Sequence, residues 1–338
     1  MTEVPQPRLR ILVTGGAGYI GSHALAHLRR AGHELEVLDH LEQGHRGAIP
    51  SGVPLHQVDL RDAPAVERVL AAGRFDTVMH FAALISVAES VAFPDRYLEN
   101  NLGGTRNLIR ALEASDTRRL VFSSTAAVYG VPQKVPIDET FPIAPVNPYG
   151  ESKALAERAL RKWADADSRR SLAILRYFNV AGASLDASLG EDHEPETHLV
   201  PNVLRSAIEG STPMTVYGQD YPTPDGTCVR DYIHVEDLVD AHAHVLERLG
   251  AGDRYCFNLG IGRGFSVQEV IQTAEAVTGR SIPVVYGPRR EGDVAELRSD
   301  PGRIKAQLGW RAKVRELRPM LESAWNWMRA HPRGHREV

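Results

Sequence analysis

The sequence predicts an α/β fold: a doubly wound, Rossmann-type parallel sheet followed by a smaller, mixed α/β C-terminal lobe. Three observations carry this. The β-branched run Leu9-Arg10-Ile11-Leu12-Val13-Thr14 has the apolar continuity of a strand covered on both faces. It passes directly into Gly15-Gly16-Ala17-Gly18-Tyr19-Ile20-Gly21, where Gly15, Gly18 and Gly21 keep the spacing G-x-x-G-x-x-G, and then into a helix from Ser22 to Ala31. Apolar runs and helical patterns then alternate through the first half of the chain, the mark of strands joined by crossover helices.

The glycine turn has a chemical reading. Small residues between strand and helix let the backbone turn tightly and approach a pyrophosphate at the positive end of the helix. The second strand, Glu34 to Leu38, ends in Asp39, about twenty residues beyond the turn, as ribose recognition in a dinucleotide site requires. A carboxylate there accepts hydrogen bonds from ribose hydroxyls and repels a 2′-phosphate, which predicts NAD rather than NADP; Arg46, a few residues on, is a cation that could receive such a phosphate.

A third strand, Val53 to Gln57, precedes Asp59, and a helix follows from Ala63 to Ala72. The fourth strand, Asp76 to Phe81, ends in Ala82-Ala83, small residues that leave room for a cofactor at the sheet edge. A long helix from about Pro94 to Ala114 carries Asn100, Asn101 and Gly103-Gly104. Amide side chains in mid-helix, where Asn is unfavourable, predict buried polar bonding. The fifth strand, Leu120 to Ser123, delivers the hydroxyls of Ser123-Ser124-Thr125 at its carboxyl end, placed to bond a substrate oxygen.

Tyr149-Gly-Glu-Ser-Lys153 then opens a helix, and residues four apart share one helix face. An ammonium beside a phenol favours phenolate, so the pairing predicts a lowered Tyr149 pKa and a general base near neutrality. The sixth strand, Ser171 to Arg176, runs into Tyr177-Phe178-Asn179.

Beyond it the alternation falters. Residues 183–197 read as an acidic loop with Gly190 and His193, 201–209 as a helix, and 217–227 as a Pro/Gly/Asp-rich loop. A helix over 235–249 and a strand through 256–259 follow. Ser266 caps a helix to Thr278 with Glu269 at the capping-box position. A strand over 283–286 and helices over 300–308 and 315–329 close the chain. The expected division is a dinucleotide-binding domain over 9–179, joined by later segments at about 230–260, a substrate lobe over 180–330, and a short leader at 1–8.

Composition narrows the function classes. The 338 residues, 43% hydrophobic, suffice for a sizeable core. A net charge of −4 with both signs scattered points to neither nucleic acid nor an anionic membrane. The two cysteines, Cys228 and Cys256, make no disulfide scaffold and read as residues of a reducing compartment. No apolar run is long enough to span a bilayer and the first residues have no signal-peptide pattern, so a cytoplasmic protein is expected. No set of metal ligands is read from the chain.

Taken together, these features resemble the extended short-chain dehydrogenases/reductases, and among them the UDP-galactose (UDP-glucose) 4-epimerase family, nearly end to end. The matching stretches are TGGAGYIGSH from Thr14, VMHFAA from Val78, FSSTAAVYG from Phe122, PYGESK from Pro148 and LRYFNVAGA from Leu175. YPTPDGTCVRDYIHVEDL from Tyr221, RREGD from Arg289 and LGWR from Leu308 complete them. The resemblance implies that Gly15, Gly18, Tyr19, Ile20 and Gly21 wrap the NAD pyrophosphate, that Asp39 holds the ribose, and that Asp59 and Leu60 lie along the adenine. It places Phe81, Ala82 and Ala83 beside the cofactor, with Asn101, Ser123, Lys153 and Tyr177 completing the cofactor contacts. Thr125 would bridge the sugar 4-hydroxyl and Tyr149, giving Tyr149, Lys153 and Thr125 as the catalytic set. Asn179, Leu199, Arg230, Arg290 and Asp293 fall where the family holds UDP, and two guanidinium groups suit a diphosphate.

Two positions depart from the family pattern: Ile85 stands where some members carry Lys, and Leu297 where a tyrosine faces the sugar. The shorter Leu297 predicts a pocket that also admits the N-acetylated UDP-hexosamines. The implied reaction is reversible, NAD-dependent 4-epimerisation of UDP-glucose and UDP-galactose through a 4-keto intermediate. The implied assembly is a homodimer through helices near Asp95 to Ala114 and Glu151 to Trp163. A nucleotide-sugar 4,6-dehydratase is the enzymatic rival; related dehydratases carry an Asp-Glu pair after the strand-end Thr, where this chain has Ala126-Ala127. A non-catalytic NAD-responsive regulator is the rival of another class, and it would not need Tyr149 and Lys153 together with a diphosphate clamp.

Overall fold

Seven strands form the main sheet, in the order Arg254–Leu259, Ser171–Tyr177, Arg119–Thr125, Thr77–His80, Arg10–Thr14, Glu34–Leu38, Leu55–His56. The chain enters at Arg10–Thr14, steps outward one way through Leu55–His56, then returns to the other side of its first strand at Thr77–His80. That reversal beside the first strand is the switch point at which open α/β sheets bind ligands. Arg10–Thr14 pairs in parallel with both neighbours, Glu34–Leu38 and Thr77–His80, and the pairings outward to Leu55–His56 and Arg119–Thr125 are parallel as well. The computed structural model describes residues 8–290 and 293–335. The leader expected at 1–8 therefore lies, apart from Arg8, outside the described residues.

Contacts divide the chain into two units. The first takes the chain up to Thr125, with Pro148–Leu175 and Val239–Cys256; the second takes Ala126–Asn147, Arg176–Leu238 and the chain from Phe257 onward. In the first unit Leu12, Leu38, Val78, Leu120 and Phe122 of the strands pack with Val66, Leu70, Leu108, Leu112, Leu160 and Trp163 of the helices. Buried on both faces, these strands need apolar residues at successive positions, which is why their sequence shows runs rather than alternation.

The helix expected over 94–114 is broken up. A short helix, Val87–Ala92, precedes it, Pro94–Tyr97 opens it, and Leu98–Gly103 is a π-turn before the α-helix resumes over Gly104–Glu113. One extra residue in the turn is what swings Asn101 inward. Its Oδ1 accepts from the Leu84 N–H at 2.9 Å, and its Nδ2 donates to the Leu84 carbonyl at 3.0 Å and to Ser152 Oγ at 2.9 Å. The buried bonding anticipated for this amide is real, and it costs the helix its regular pitch.

The second unit is organised by Val229–His234, a strand the sequence reading passed over. It pairs in parallel with Asn179–Ala181 and Glu296–Leu297 and antiparallel with Gly264–Ser266. Met214–Tyr217 pairs in parallel with Val284–Gly287. Of these, only the 283–286 strand was expected. Segments of two to six residues are too short to show a period of their own, and partners far away in sequence define them. The Val267–Thr278 helix does carry the anticipated capping box between Ser266 and Glu269.

Asp231, in the middle of the organising strand, is fully buried and gathers two segments. Its carboxylate accepts from the backbone N–H groups of Ile261 at 2.9 Å, Gly262 at 3.0 Å and Ser299 at 3.0 Å, and from Ser299 Oγ. Four donors converging on one side chain leave no place for an amide, which must turn an NH₂ towards at least one of them. Asp231→Asn and Asp231→Ala should therefore both destabilise the protein by about 3 kcal/mol or more, read from urea unfolding. An Asn variant as stable as the parent would show that the anchor is not the ionised carboxylate.

Candidate active site

In the first unit the strand Arg10–Thr14 and the helix Tyr19–Arg30 are joined by a turn packed too closely for side chains at two of its glycines. Gly15 has φ +73°, and a Cβ there would lie 2.5 Å from the Ala82 nitrogen; a Cβ on Gly21 would lie 2.0 Å from the Gly15 carbonyl oxygen. The Phe81 and Ala82 N–H groups both donate to the Thr14 carbonyl, which draws the end of the Thr77–His80 strand against the turn. Gly18 is the N-cap of the helix and no side chain caps it. Among the residues proposed for the pyrophosphate, Gly15, Gly18, Tyr19, Ile20 and Gly21 thus form one continuous turn and helix start, the geometry that receives an anion.

Asp39 is buried, with one oxygen on the Ala17 N–H at 3.0 Å and the other on the Leu41 N–H at 2.9 Å. Each oxygen keeps a further lone pair for a hydroxyl donor. A buried carboxylate tied to the turn suits a ribose and opposes a phosphate, so the residues present fit NAD. Asp59 is differently occupied: Arg61 takes both its oxygens, at 2.6–3.0 Å, and its pKa is lowered by that pairing. Leu60 is buried in the core behind it. Phe81, Ala82 and Ala83 are half-buried, and the Phe81 ring lies 5.0 Å from that of His242. Ile85 is exposed.

The catalytic candidates come together where the Arg119–Thr125 strand meets the Pro148–Asp165 helix. Lys153 is buried; its Nζ donates to the Ser123 carbonyl at 2.9 Å and sits 4.8 Å from the centre of the Phe122 ring. Burial drives the Lys153 pKa down to about 7, with Glu157 one turn further along opposing the shift. Tyr149 is hydrogen-bonded to Thr125, as the resemblance implied.

The expected depression of the Tyr149 pKa is overturned. Burial raises it to about 12, the Thr125 bond acts weakly the other way, and the lysine points its ammonium at a backbone carbonyl instead. Helical spacing put both side chains on one face as predicted, but a shared face does not fix where the ammonium is aimed. Two neighbours were missed: Ser152, which ties the helix to Asn101, and Glu157, whose Oε1 accepts from Ser124 Oγ at 2.6 Å. Glu157 lies four residues beyond Lys153, so the same helical spacing could have found it. Asn101 was expected beside the nicotinamide; both ends of its amide are instead engaged by Leu84 and Ser152, which makes it a residue that positions the helix.

The second unit holds the residues expected at the nucleotide. Arg230 donates from Nη1 to the carbonyls of Val229 and Val294, each at 2.9 Å, and its Nη2 lies 3.5 Å from Asp293 Oδ1. Leu297 is in register with Arg230 across the Glu296–Leu297 pairing. The Asp293 N–H donates to the Arg290 carbonyl, and the Arg290 guanidinium stacks 3.9 Å from the centre of the Tyr217 ring. Asn179 begins the strand paired to Tyr232–His234, Tyr177 is half-buried just before it, and Leu199 is the first residue of the Leu199–Glu209 helix. Arg230, Asp293 and Leu297 are thereby brought together by one strand. Glu291 and Gly292 of the RREGD stretch lie outside the described residues.

A glycine turn at the switch point, an acid at the second strand and a Tyr-x-x-x-Lys helix over a strand-end hydroxyl define a dinucleotide-dependent α/β protein of the short-chain dehydrogenase class. The family model "NAD dependent epimerase/dehydratase family" matches residues 11–260. The UDP-glucose 4-epimerase of Lactobacillus helveticus is 46% identical over 97% of this chain and 100% of its own. The crystal structure of UDP-glucose 4-epimerase from Bifidobacterium longum with NAD+ and UDP superposes with a TM-score of 0.92 at 38% identity, covering 96% and 99% of the two chains. The UDP-Glc/GlcNAc 4-epimerase of Campylobacter jejuni gives 0.81 at 39%, covering 95% and 99%. This chain belongs to the UDP-glucose 4-epimerase family.

The Lys153 ammonium gives a measurable signature of the site. A lysine whose folded pKa falls from 10.5 to about 7 binds fewer protons folded than unfolded across that window, so the parent's stability rises with pH through it. Lys153→Met removes the titration. On NAD-free protein, the variant should gain on the parent by a few kcal/mol as pH is lowered from about 10 to about 7. A stability difference independent of pH would show that the ammonium is not desolvated.

Proposed function

We infer that this chain interconverts UDP-glucose and UDP-galactose by NAD-dependent 4-epimerisation. The single observation that carries the reading is the Tyr149–Thr125 hydrogen bond at the end of a strand whose preceding carbonyl, that of Ser123, is held by the buried Lys153. NAD, when bound, supplies reversible hydride acceptance at sugar carbon 4. Tyr149 takes the proton of the 4-hydroxyl and returns it to the 4-keto oxygen of the sugar turned to its other face, with Thr125 as its hydrogen-bonding partner. Gly15, Gly18, Tyr19, Ile20, Gly21 and Asp39 bind the cofactor. Asn179, Leu199, Arg230, Arg290 and Asp293 bind UDP, the arginines as the diphosphate's counter-charges. Because hydride leaves and returns to the same carbon, there is no net oxidation and the cofactor stays bound through turnover.

A phenol that burial holds at about 12 is protonated at neutral pH, so Tyr149 acts as a base where a positive charge lowers its pKa, and the cationic nicotinamide ring of bound NAD would supply one. Neither Cys228 nor Cys256 forms a disulfide, which fits the reducing, cytoplasmic setting we propose, and among the described residues no helix is long and apolar enough to cross a membrane. The helical stretches near Asp95 to Ala114 and Glu151 to Trp163 are our candidate homodimer surface, on the family resemblance.

The dehydratase alternative lacks its acid and base. Ala126 and Ala127 follow Thr125, and neither can move a proton. Tyr149→Phe should lower the interconversion by about 10²-fold to 10⁴-fold in a coupled assay from UDP-galactose while NAD remains bound. Near-parental turnover in a NAD-loaded Phe variant would rule out Tyr149 as the base.

The residues proposed for the substrate carry a second reading at Leu297. A half-buried leucine beside Arg230 is shorter than a tyrosine and brings no hydroxyl to satisfy. We propose that it leaves room for a 2-acetamido group, and the similarity to an enzyme that takes both UDP-Glc and UDP-GlcNAc supports this. Leu297→Tyr should lose activity on UDP-N-acetylglucosamine by about 10-fold to 200-fold relative to UDP-glucose. A parent protein inert towards the N-acetylated pair would end the proposal.

A further inference from the structure

Four side chains outside the candidate active site converge on one point. The loop leading into the Leu199–Glu209 helix brings together single ligand atoms of Glu191, His193, Glu196 and His198, all within 4.8 Å of one another. His193 Nδ1 lies 3.4 Å from Glu191 Oε1 and 3.6 Å from Glu196 Oε2. His198 Nδ1 lies 2.8 Å from Glu191 Oε1 and 3.1 Å from Glu196 Oε1. The Glu191 and Glu196 side chains are 8% and 1% exposed and that of His193 is 14% exposed, so the cluster is closed to solvent except near His198.

Two of these atoms have no hydrogen-bond partner: His193 Nδ1 and Glu196 Oε2. They face each other at 3.6 Å, too far for a hydrogen bond. Four ligands at about 2.0–2.1 Å around a tetrahedral ion stand roughly 3.3–3.4 Å apart, and the imidazole–carboxylate separations here, 2.8–3.6 Å, bracket that spacing. An orphaned acceptor on a side chain this deeply buried is a costly feature unless something occupies the gap.

The ligands are also held in advance. Glu196 Oε1 accepts from the N–H groups of Thr197 at 2.7 Å and His198 at 2.8 Å, which fixes the carboxylate and leaves Oε2 pointing inward. The Asn202 amide donates to the Glu196 carbonyl at 3.2 Å. A Cβ on Gly190 would lie 2.2 Å from the Trp327 ring, and Asp192 accepts from the His335 N–H at 2.8 Å, so the loop is seated on the C-terminal helix and the turn after it.

We propose that Glu191, His193, Glu196 and His198 bind one divalent transition-metal ion per chain, zinc by the chemistry of the donors. Two imidazole nitrogens and two carboxylate oxygens form a zinc set; calcium and magnesium take oxygen ligands and prefer six or more. The charges close, two carboxylates against a dication. All four protein positions are filled, so the ion is structural: it fixes the loop from which the helix beginning at Leu199 emerges. The competing state of the same cluster is a pair of protonated rings. Burial lowers both imidazole pKa values, but the carboxylates outweigh it and raise them, to about 9 at His193 and about 10 at His198.

The test uses the full chain with its bound cofactor, freed of metal by a chelator and returned to metal-free buffer. Zinc uptake is followed by competition with a chromogenic chelator, with magnesium and calcium as comparison ions. One equivalent of zinc per chain, with no uptake of magnesium or calcium, is expected, together with visible absorption bands of tetrahedral Co²⁺ when cobalt replaces zinc. His193→Ala and Glu196→Gln should each weaken zinc by at least about 100-fold, and His331→Ala, outside the cluster, should not. A parent protein that takes up no stoichiometric zinc overturns the site whatever the variants do. Undiminished zinc binding by both His193→Ala and Glu196→Gln overturns it as well.

Discussion

Burying an ammonium is expensive, and the first unit is arranged around doing so at Lys153. The charge is met by the Ser123 carbonyl at the end of a strand and by the face of Phe122 beneath it, and Glu157 follows one turn later with a hydrogen bond to Ser124. These contacts fix how the Pro148–Asp165 helix is rotated against the Arg119–Thr125 strand. Ser152, held by Asn101 from the π-turn, fixes it from another side. Tyr149 reaches Thr125 because nothing in that arrangement can rotate independently.

The same interior sets the electrostatics. His80 bridges Thr14 at 2.7 Å and Thr105 at 3.0 Å, and Thr105 in turn donates to the Asn101 carbonyl at 2.6 Å. Burial, with Lys153 acting in the same direction, lowers the His80 pKa to about 3, so the ring stays neutral and serves as a polar strut from the first strand to the π-turn. A neutral imidazole adds no competing charge beside Lys153. The glycine turn's strand, the strut and the Pro148–Asp165 helix are thus linked by a series of hydrogen bonds through Thr14, His80, Thr105, Asn101 and Ser152.

What was legible in the sequence follows from how local each feature is. The Gly15–Gly21 turn and Asp39 depend on backbone geometry set within a few residues, so their spacing was enough. The Tyr149–Lys153 pairing needed only a helix. The direction of the Tyr149 shift depended on burial and on where Lys153 points, which no spacing records. Asn101 was recognised as buried but not as a link to Ser152, because its partner is fixed by the fold. The Glu191–His198 cluster has no regular period; its residues converge because the loop is bent over Trp327. The second unit's short strands Asn179–Ala181, Gly264–Ser266 and Glu296–Leu297 were hardest, since each exists only through the Val229–His234 strand.

That strand has a bearing on how such a protein can change. Arg230 and Asp231 are consecutive, one turned to Asp293 among the residues proposed for the nucleotide and the other to the anchor of two segments, so drift at either position disturbs both. Leu297 is different. It lies on a two-residue strand whose backbone is secured by pairing, while its half-buried side chain takes no part in the Asp231 anchor. Under the sugar-facing role proposed for it, this is a position where size can vary and the scaffold need not answer, so descendants of one ancestor can part company in diet there before they differ anywhere in architecture.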